Sequence, residues 1–222
     1  MVLSHLFIKV QEIQARLTCN ELMFKKTLVV KASKKKNENQ RYFFSKIIEN
    51  GICAYESQKG VAIEVQEKAN FNTELSVSYW QDRIHGAEVF LQLASTLQTV
   101  SQALIKNALL YQSIEQIVLG LLAVFTGYQP NRFPLGFLFD LLNYLTDINL
   151  ADEFFDDEGR TLFKQLSANP EMLKFKMIMV GSSVESRLLE EKCITIYNRS
   201  KLLIQNEIEQ RKLKTTDNSK II

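Results

Sequence analysis

From Leu109 to Phe125 the chain reads as a helix that is apolar nearly all round, and the stretch closes in Thr126-Gly127-Tyr128-Gln129-Pro130. A helix that is apolar on every side has no face to give to water, so it belongs at the centre of a fold with other helices around it. Its ending agrees: glycine accepts the left-handed turn that closes a helix, and a proline just beyond cannot continue one. The most continuous apolar run, Ile117 to Phe125, spans about nine residues, against roughly 20 for a membrane-crossing helix. The stretch therefore reads as core, not as a membrane span.

The surrounding sequence supplies the helices that would cover it. From about Glu74, a wide apolar stripe runs through Trp80, Ile84, Ala87, Phe90, Leu91, Leu93, Leu97 and Val100 at helical spacing, with a break expected at Lys106-Asn107. Pro134 suits a first helical turn and is followed by Leu135, Leu138, Leu141, Leu142 and Leu145. The acidic stretch Asp147 to Glu158 leads into a helix from Gly159, whose positive N-terminal end those carboxylates favour. Leu162, Phe163, Leu166, Leu173, Phe175 and Ile178 give it an apolar side, with a kink or boundary at Pro170. Ser182-Ser183 caps a last amphipathic helix running to about Glu209 through Leu188, Leu189, Ile194, Tyr197, Leu202 and Ile208. Eight Gly and three Pro in 222 residues are too few for the frequent turns of an all-β fold. The expected fold is mainly α: an up-and-down bundle of about five helices over residues 74–209, with a flexible tail over 210–222.

Residues 1–66 read differently. Leu6, Val10, Ile13 and Leu17 suit a helix over about 4–18, and Thr27 to Val30 suits a strand. Lys34, Lys35 and Lys36 sit in a polar stretch read as a solvated turn into a helix around Arg41 to Glu49, which stops at Asn50-Gly51. Ile52 to Tyr55 and Val61 to Val65 read as two more short strands. This is a small α/β segment, too short to bury much core alone.

Little in the sequence points to catalysis. A net charge of +2 singles out neither nucleic acid nor an anionic membrane. Cys19, Cys53 and Cys193 are odd in number and widely spaced, as expected of reduced thiols in a cytoplasmic protein. The N-terminus lacks the basic start and apolar run of a signal peptide. Neither GxxxxGK[ST] nor GxGxxG is present, so no phosphate loop is expected. Three scattered Cys with His5 and His85 do not make a structural zinc site. The carboxylates Asp152, Glu153, Asp156, Asp157 and Glu158 read as a solvated helix start rather than a magnesium site. No cofactor is expected.

Two segments resemble a known family. Asn39 to Glu56 (NQRYFFSKIIENGICAYE) resembles the linker G-x-Y-F-F-x-D-I-x-x-x-G-I-x-L-Y of bacterial proteins that fuse a nucleotidyltransferase to a HEPN domain. Tyr111 to Glu115, followed by Leu121 to Pro130, resembles the central helix and exit turn of that HEPN domain, in the same order and at matching separation. The resemblance implies an up-and-down helical bundle, often dimeric, linked to nucleotide binding, to toxin–antitoxin pairs and, in some branches, to RNA cleavage. Residues 1–66 would then be the remnant of a nucleotidyltransferase domain.

The catalytic residues of those relatives are not matched. The cleaving branch carries Arg, four to six residues, then His, near the exit of the central helix. Arg132 falls near that place, but Phe137, Leu138 and Phe139 occupy the positions for His; counting back from His85 gives Ser78, Tyr79 and Trp80 where Arg should be. Leucine and phenylalanine cannot transfer protons. A Thr-His-Asp-Leu segment of the fused relatives is replaced by Arg132-Phe133-Pro134-Leu135, and the Asp-x-Asp metal pair of the transferase is missing. The expectation is a non-catalytic HEPN-like module that binds a nucleotide or a protein partner, or pairs with its own copy, with no membrane or nucleic-acid role. Its site is placed at Tyr111, Glu115, Tyr128 and Arg132. Two other readings stand beside it: a divergent ribonuclease toxin using Arg132, His85 or Glu115, and a DNA-binding regulator using Arg187, Lys192, Arg199 and Lys201.

Overall fold

The computed structural model describes residues 38–50, 70–130, 133–154, 157–167 and 183–218. Among them are six α-helices: α1 (Glu38–Asn50), α2 (Thr73–Ser95), α3 (Ala103–Thr126), α4 (Leu135–Thr146), α5 (Asp157–Ser167) and α6 (Ser183–Asn218). Short 3-10 turns at Val100–Gln102 and Ala151–Phe154 precede α3 and α5, and no strand occurs among the described residues. The fold is a mainly α helical bundle, as the apolar periodicity requires.

α3 is the centre. Leu110, Ile114, Ile117, Val118, Leu121 and Leu122 are fully buried on it, and it packs against α2, α4, α5 and α6. Together with its preceding 3-10 turn it is long and apolar enough to cross a membrane, longer than the nine-residue run suggests, because the helix reaches back to Ala103. Of its most apolar window, 67% is buried inside the bundle, which accounts for the apolarity through packing.

Contacts fix the directions of the neighbours. Ser76 lies against Ala123, Trp80 against Gly120, Arg83 against Gln116, and Ala87 against Ser113, so α2 runs antiparallel to α3 in constant register. A Cβ on Gly120 would meet Trp80 Cε3 at 2.5 Å; glycine lets the indole lie on the α3 backbone. Near the start of α3, Lys106 pairs with Glu190 of α6. At the far end of α6, Arg211 lies 4.3 Å from the ring of Phe71, just before α2. Because the start of α2 adjoins the end of α3, α6 runs parallel to α3.

Three boundaries differ from the sequence expectation. The break between α2 and α3 falls at Thr96–Thr99, not at Lys106-Asn107. Thr96 Oγ1 bonds back to Leu93 O, and the Thr99 N–H donates to Gln102 Oε1, a T-x-x-Q restart. Lys106 and Asn107 are instead buried helical residues. α5 begins at Asp157, two residues before Gly159. α6 continues to Asn218, past the point at which a flexible tail was expected, with Arg211 bonded to Glu207 one turn back and packed on Phe71. The expected helix over 4–18, the three strands and the kink at Pro170 lie outside the described residues.

α1 begins at Glu38, three residues before the expected start, and docks on the bundle. Asn39 Nδ2 donates to Asn72 O (2.8 Å) and Ser76 Oγ (2.6 Å), and its Oδ1 accepts from the Asn72 N–H (2.6 Å). Gln40 Nε2 donates to Gln129 O. This helix of the expected α/β segment is thus joined to the bundle by hydrogen bonds and the Phe43–Tyr128 ring stack.

Candidate binding site

The antiparallel register of α2 and α3 brings a polar cluster to their shared flank. Arg83 is its hub. The Arg83 guanidinium carbon lies 4.6 Å from the ring centre of Tyr79, one turn earlier on α2, while Nη1 donates to Gln116 Oε1 at 2.6 Å. Glu115 stands beside Gln116, half-buried. Burial raises its carboxyl above the ordinary value, and the positive charge of Arg83 pulls the other way without cancelling it. Tyr111, one turn before Glu115, is buried; its phenol is raised by burial and by the Glu115 charge, and lowered by a hydrogen bond from the Leu135 backbone. Leu135 is the first residue of α4, whose N–H has no partner within its own helix. Tyr111 thereby ties the start of α4 to the middle of α3. Burial likewise raises the Tyr79 phenol, against the opposing influence of Arg83.

On either side of Leu135 stand Phe133 and Phe137, their ring centres 4.8 Å apart, with Phe133 37% exposed. The inward-facing positions of α4 are taken by Leu135, Leu138, Phe139 and Leu142. The junction of α2, α3 and α4 therefore combines a guanidinium, a carboxylate, two phenols and an outward aromatic pair.

Of the four residues placed in the site from sequence, the structure brings Tyr111 and Glu115 together. Tyr128 is elsewhere: it follows Tyr111 by seventeen residues, about 25 Å along the helix axis. It packs the exit turn, stacked on Phe43 at 4.6 Å, with burial raising its phenol. Arg132 lies outside the described residues. Arg83, Tyr79 and Gln116 were missed. The i, i+4 spacing of Tyr79 and Arg83 was a visible signal; the pairing of Arg83 with Gln116 depends on the register between two helices and is not written in either one.

The other expected chemistries can be placed too. His85 is exposed on α2, about 200° around the helix from Arg83, so it does not converge with Glu115. Among the basic residues of α6, Lys192 donates to Glu153 O and Arg199 pairs with the Glu153 carboxylate at 3.2 Å, while Arg187 pairs with Glu191. Lys201 Nζ lies over the Tyr197 ring, 5.1 Å from its centre. Among the described residues no three His, Cys, Asp or Glu side chains are grouped to hold a metal. Comparisons with protein-family models, with curated proteins and with solved structures found no match.

Proposed function

We propose that the chain is a HEPN-like helical module that works by binding rather than catalysis, and that it recognises a protein partner through the junction of α2, α3 and α4. The observation that carries this is the half-buried combination of Arg83, Glu115 and Tyr79, linked through Tyr111 to the start of α4, where Phe133 and Phe137 flank Leu135. Interface hot spots are enriched in aromatic residues and arginine held in partly desolvated surroundings, and this is such a set. The family part of the reading is supported by the packing of the two resembling segments on each other: Phe43 of the first stacks on Tyr128 of the second. A module of this kind would serve a toxin–antitoxin or nucleotidyltransferase-associated system, in which a protein partner is encoded nearby.

The test is co-expression with the product of an adjacent gene, followed by affinity measurement. Phe137→Ser and Arg83→Gln should each weaken the complex by more than about tenfold while the far-ultraviolet circular dichroism stays that of the parent. Unchanged affinity in both variants would remove the junction as the binding surface.

A second reading, nucleotide binding, is favoured by the Glu115 carboxylate beside the Arg83 guanidinium, an acceptor and a donor next to an aromatic ring. A nucleotide that binds only the folded state must raise the melting temperature. The expected signature is a shift that Arg83→Gln abolishes.

A further inference from the structure

The charges of this chain are unevenly placed. Its net charge is +2, yet residues 70–147 hold six carboxylates, at Glu74, Asp82, Glu88, Glu115, Asp140 and Asp147, against three lysine or arginine side chains. Of those three, Lys106 is buried against Glu190 of α6, and Arg83 is turned to Gln116 and Tyr79. Five of the carboxylates are exposed, on α2 and α4 or at the end of α4. The sixth, Glu115, is half-buried, and among the described residues nothing donates a hydrogen bond to it and no cation stands at ion-pair distance. The flank of α3 leading up to it repeats the imbalance. Asn107, Tyr111 and Glu115 succeed one another at intervals of four, along one side of the helix. Asn107 is only 7% exposed, and its Oδ1 is buried without a donor. Tyr111 takes the Leu135 N–H. This flank thus holds more acceptors than the bundle supplies with donors. An acceptor withdrawn from water and left without a donor costs free energy, which a ligand bringing N–H groups recovers.

We propose that the partner meeting the junction of α2, α3 and α4 is basic there, and sets a lysine or arginine side chain on Glu115. The assignment rests on the reading of that junction as a protein-binding surface. A basic segment is drawn in by the carboxylates of α2 and α4 before contact, and donates to Glu115 after it. Arg83 does not fill that role itself, because its guanidinium lies on the Tyr79 ring and bonds to Gln116. A nucleic acid would bring its phosphates towards the same carboxylates and be repelled. A metal ion would need several oxygen ligands, and no three such side chains are grouped among the described residues.

Fluorescence anisotropy on the full chain tests this with two labelled peptides of equal length, one of leucine and lysine, the other of leucine and glutamate. The lysine peptide should bind the parent, more weakly as salt rises. Glu115→Gln should weaken it by more than about tenfold, with the helical circular dichroism retained. Glu88→Gln, at an exposed position on α2, should change it by no more than about threefold. No binding of the lysine peptide, or equal binding by Glu115→Gln, overturns the proposal. Binding of the glutamate peptide that Arg83→Gln removes would assign the junction to an acidic partner and overturn it equally. A complex with the product of an adjacent gene separates the proposal from the reading it rests on. If Phe137→Ser weakens that complex and Glu115→Gln does not, the junction stands and the basic contact falls. If Phe137→Ser and Arg83→Gln both leave it unchanged, the junction itself falls, and the basic contact with it.

Discussion

Lys106 Nζ lies 2.5 Å from Glu190 Oε2, joining α3 to α6 with side chains only 5% and 13% exposed. Cys193, one turn along α6 from Glu190, is fully buried, and the two opposite charges of the pair neutralise each other where little water reaches them. Removing one partner strands the other charge away from water. Lys106→Met should therefore destabilise the fold by about 3 kcal/mol or more. Adding Glu190→Leu should recover most of that loss, since the stranded carboxylate goes with it. Urea unfolding of the two variants and the parent checks both statements; a double variant as unstable as the single one would show that packing, not charge, sets the cost.

Gly127 closes α3 at φ +77°, and a Cβ there would lie 2.7 Å from the Asn39 carbonyl oxygen of α1. Both the left-handed backbone and the neighbouring main chain oppose a side chain. Gly127→Ala should cost at least about 2 kcal/mol and loosen α1, seen as faster amide exchange over Asn39 to Ser45. Gly136→Ala, in α4, meets nothing within 4 Å and should be neutral or stabilising by up to about 1 kcal/mol. The contrast separates backbone geometry from a general intolerance of substitution.

Cys193 is fully buried, and burial together with nearby Glu190 pushes its thiol far up. The thiolate is the reactive form, so this side chain should resist alkylation as long as the bundle is folded. Peptide mapping after iodoacetamide treatment should find Cys193 unmodified in native protein and fully modified in denaturant. Rapid native labelling would mean that α6 detaches from the core.

The bundle was legible where a helix carries its own signal. The apolar α3, its Gly127 stop and the proline-led start of α4 each follow from residues within the element. Boundaries set by partners were not. Lys106 and Asn107 look like a break because a lysine seldom sits in a core; only Glu190, more than eighty residues on, makes its burial tolerable. The site divides the same way. Tyr111 and Glu115 are one turn apart and meet wherever that helix forms, while Tyr128 shares the sequence neighbourhood of an exit turn but stands at the other end of α3. Arg83 entered only through the register of α2 on α3.

Glu115 gives the site a pH signature whose sign is fixed. Its carboxyl is raised in the folded protein, chiefly by burial, so the fold holds this proton more tightly than the unfolded chain does. The resulting stabilisation is present below the unfolded value, about 4.3, and is lost as pH rises through the higher folded value. At neutral pH the ionised side chain is then a cost, one that Arg83 reduces without removing. Glu115→Gln should melt no lower than the parent near neutrality, and the difference should shift in favour of the parent as the pH falls through the raised value. Thermal denaturation of both proteins across a pH series measures this. A variant that melts lower at neutral pH, with the gap shrinking on acidification, would show instead that attraction to Arg83 outweighs burial, and that the pair is a stabilising one.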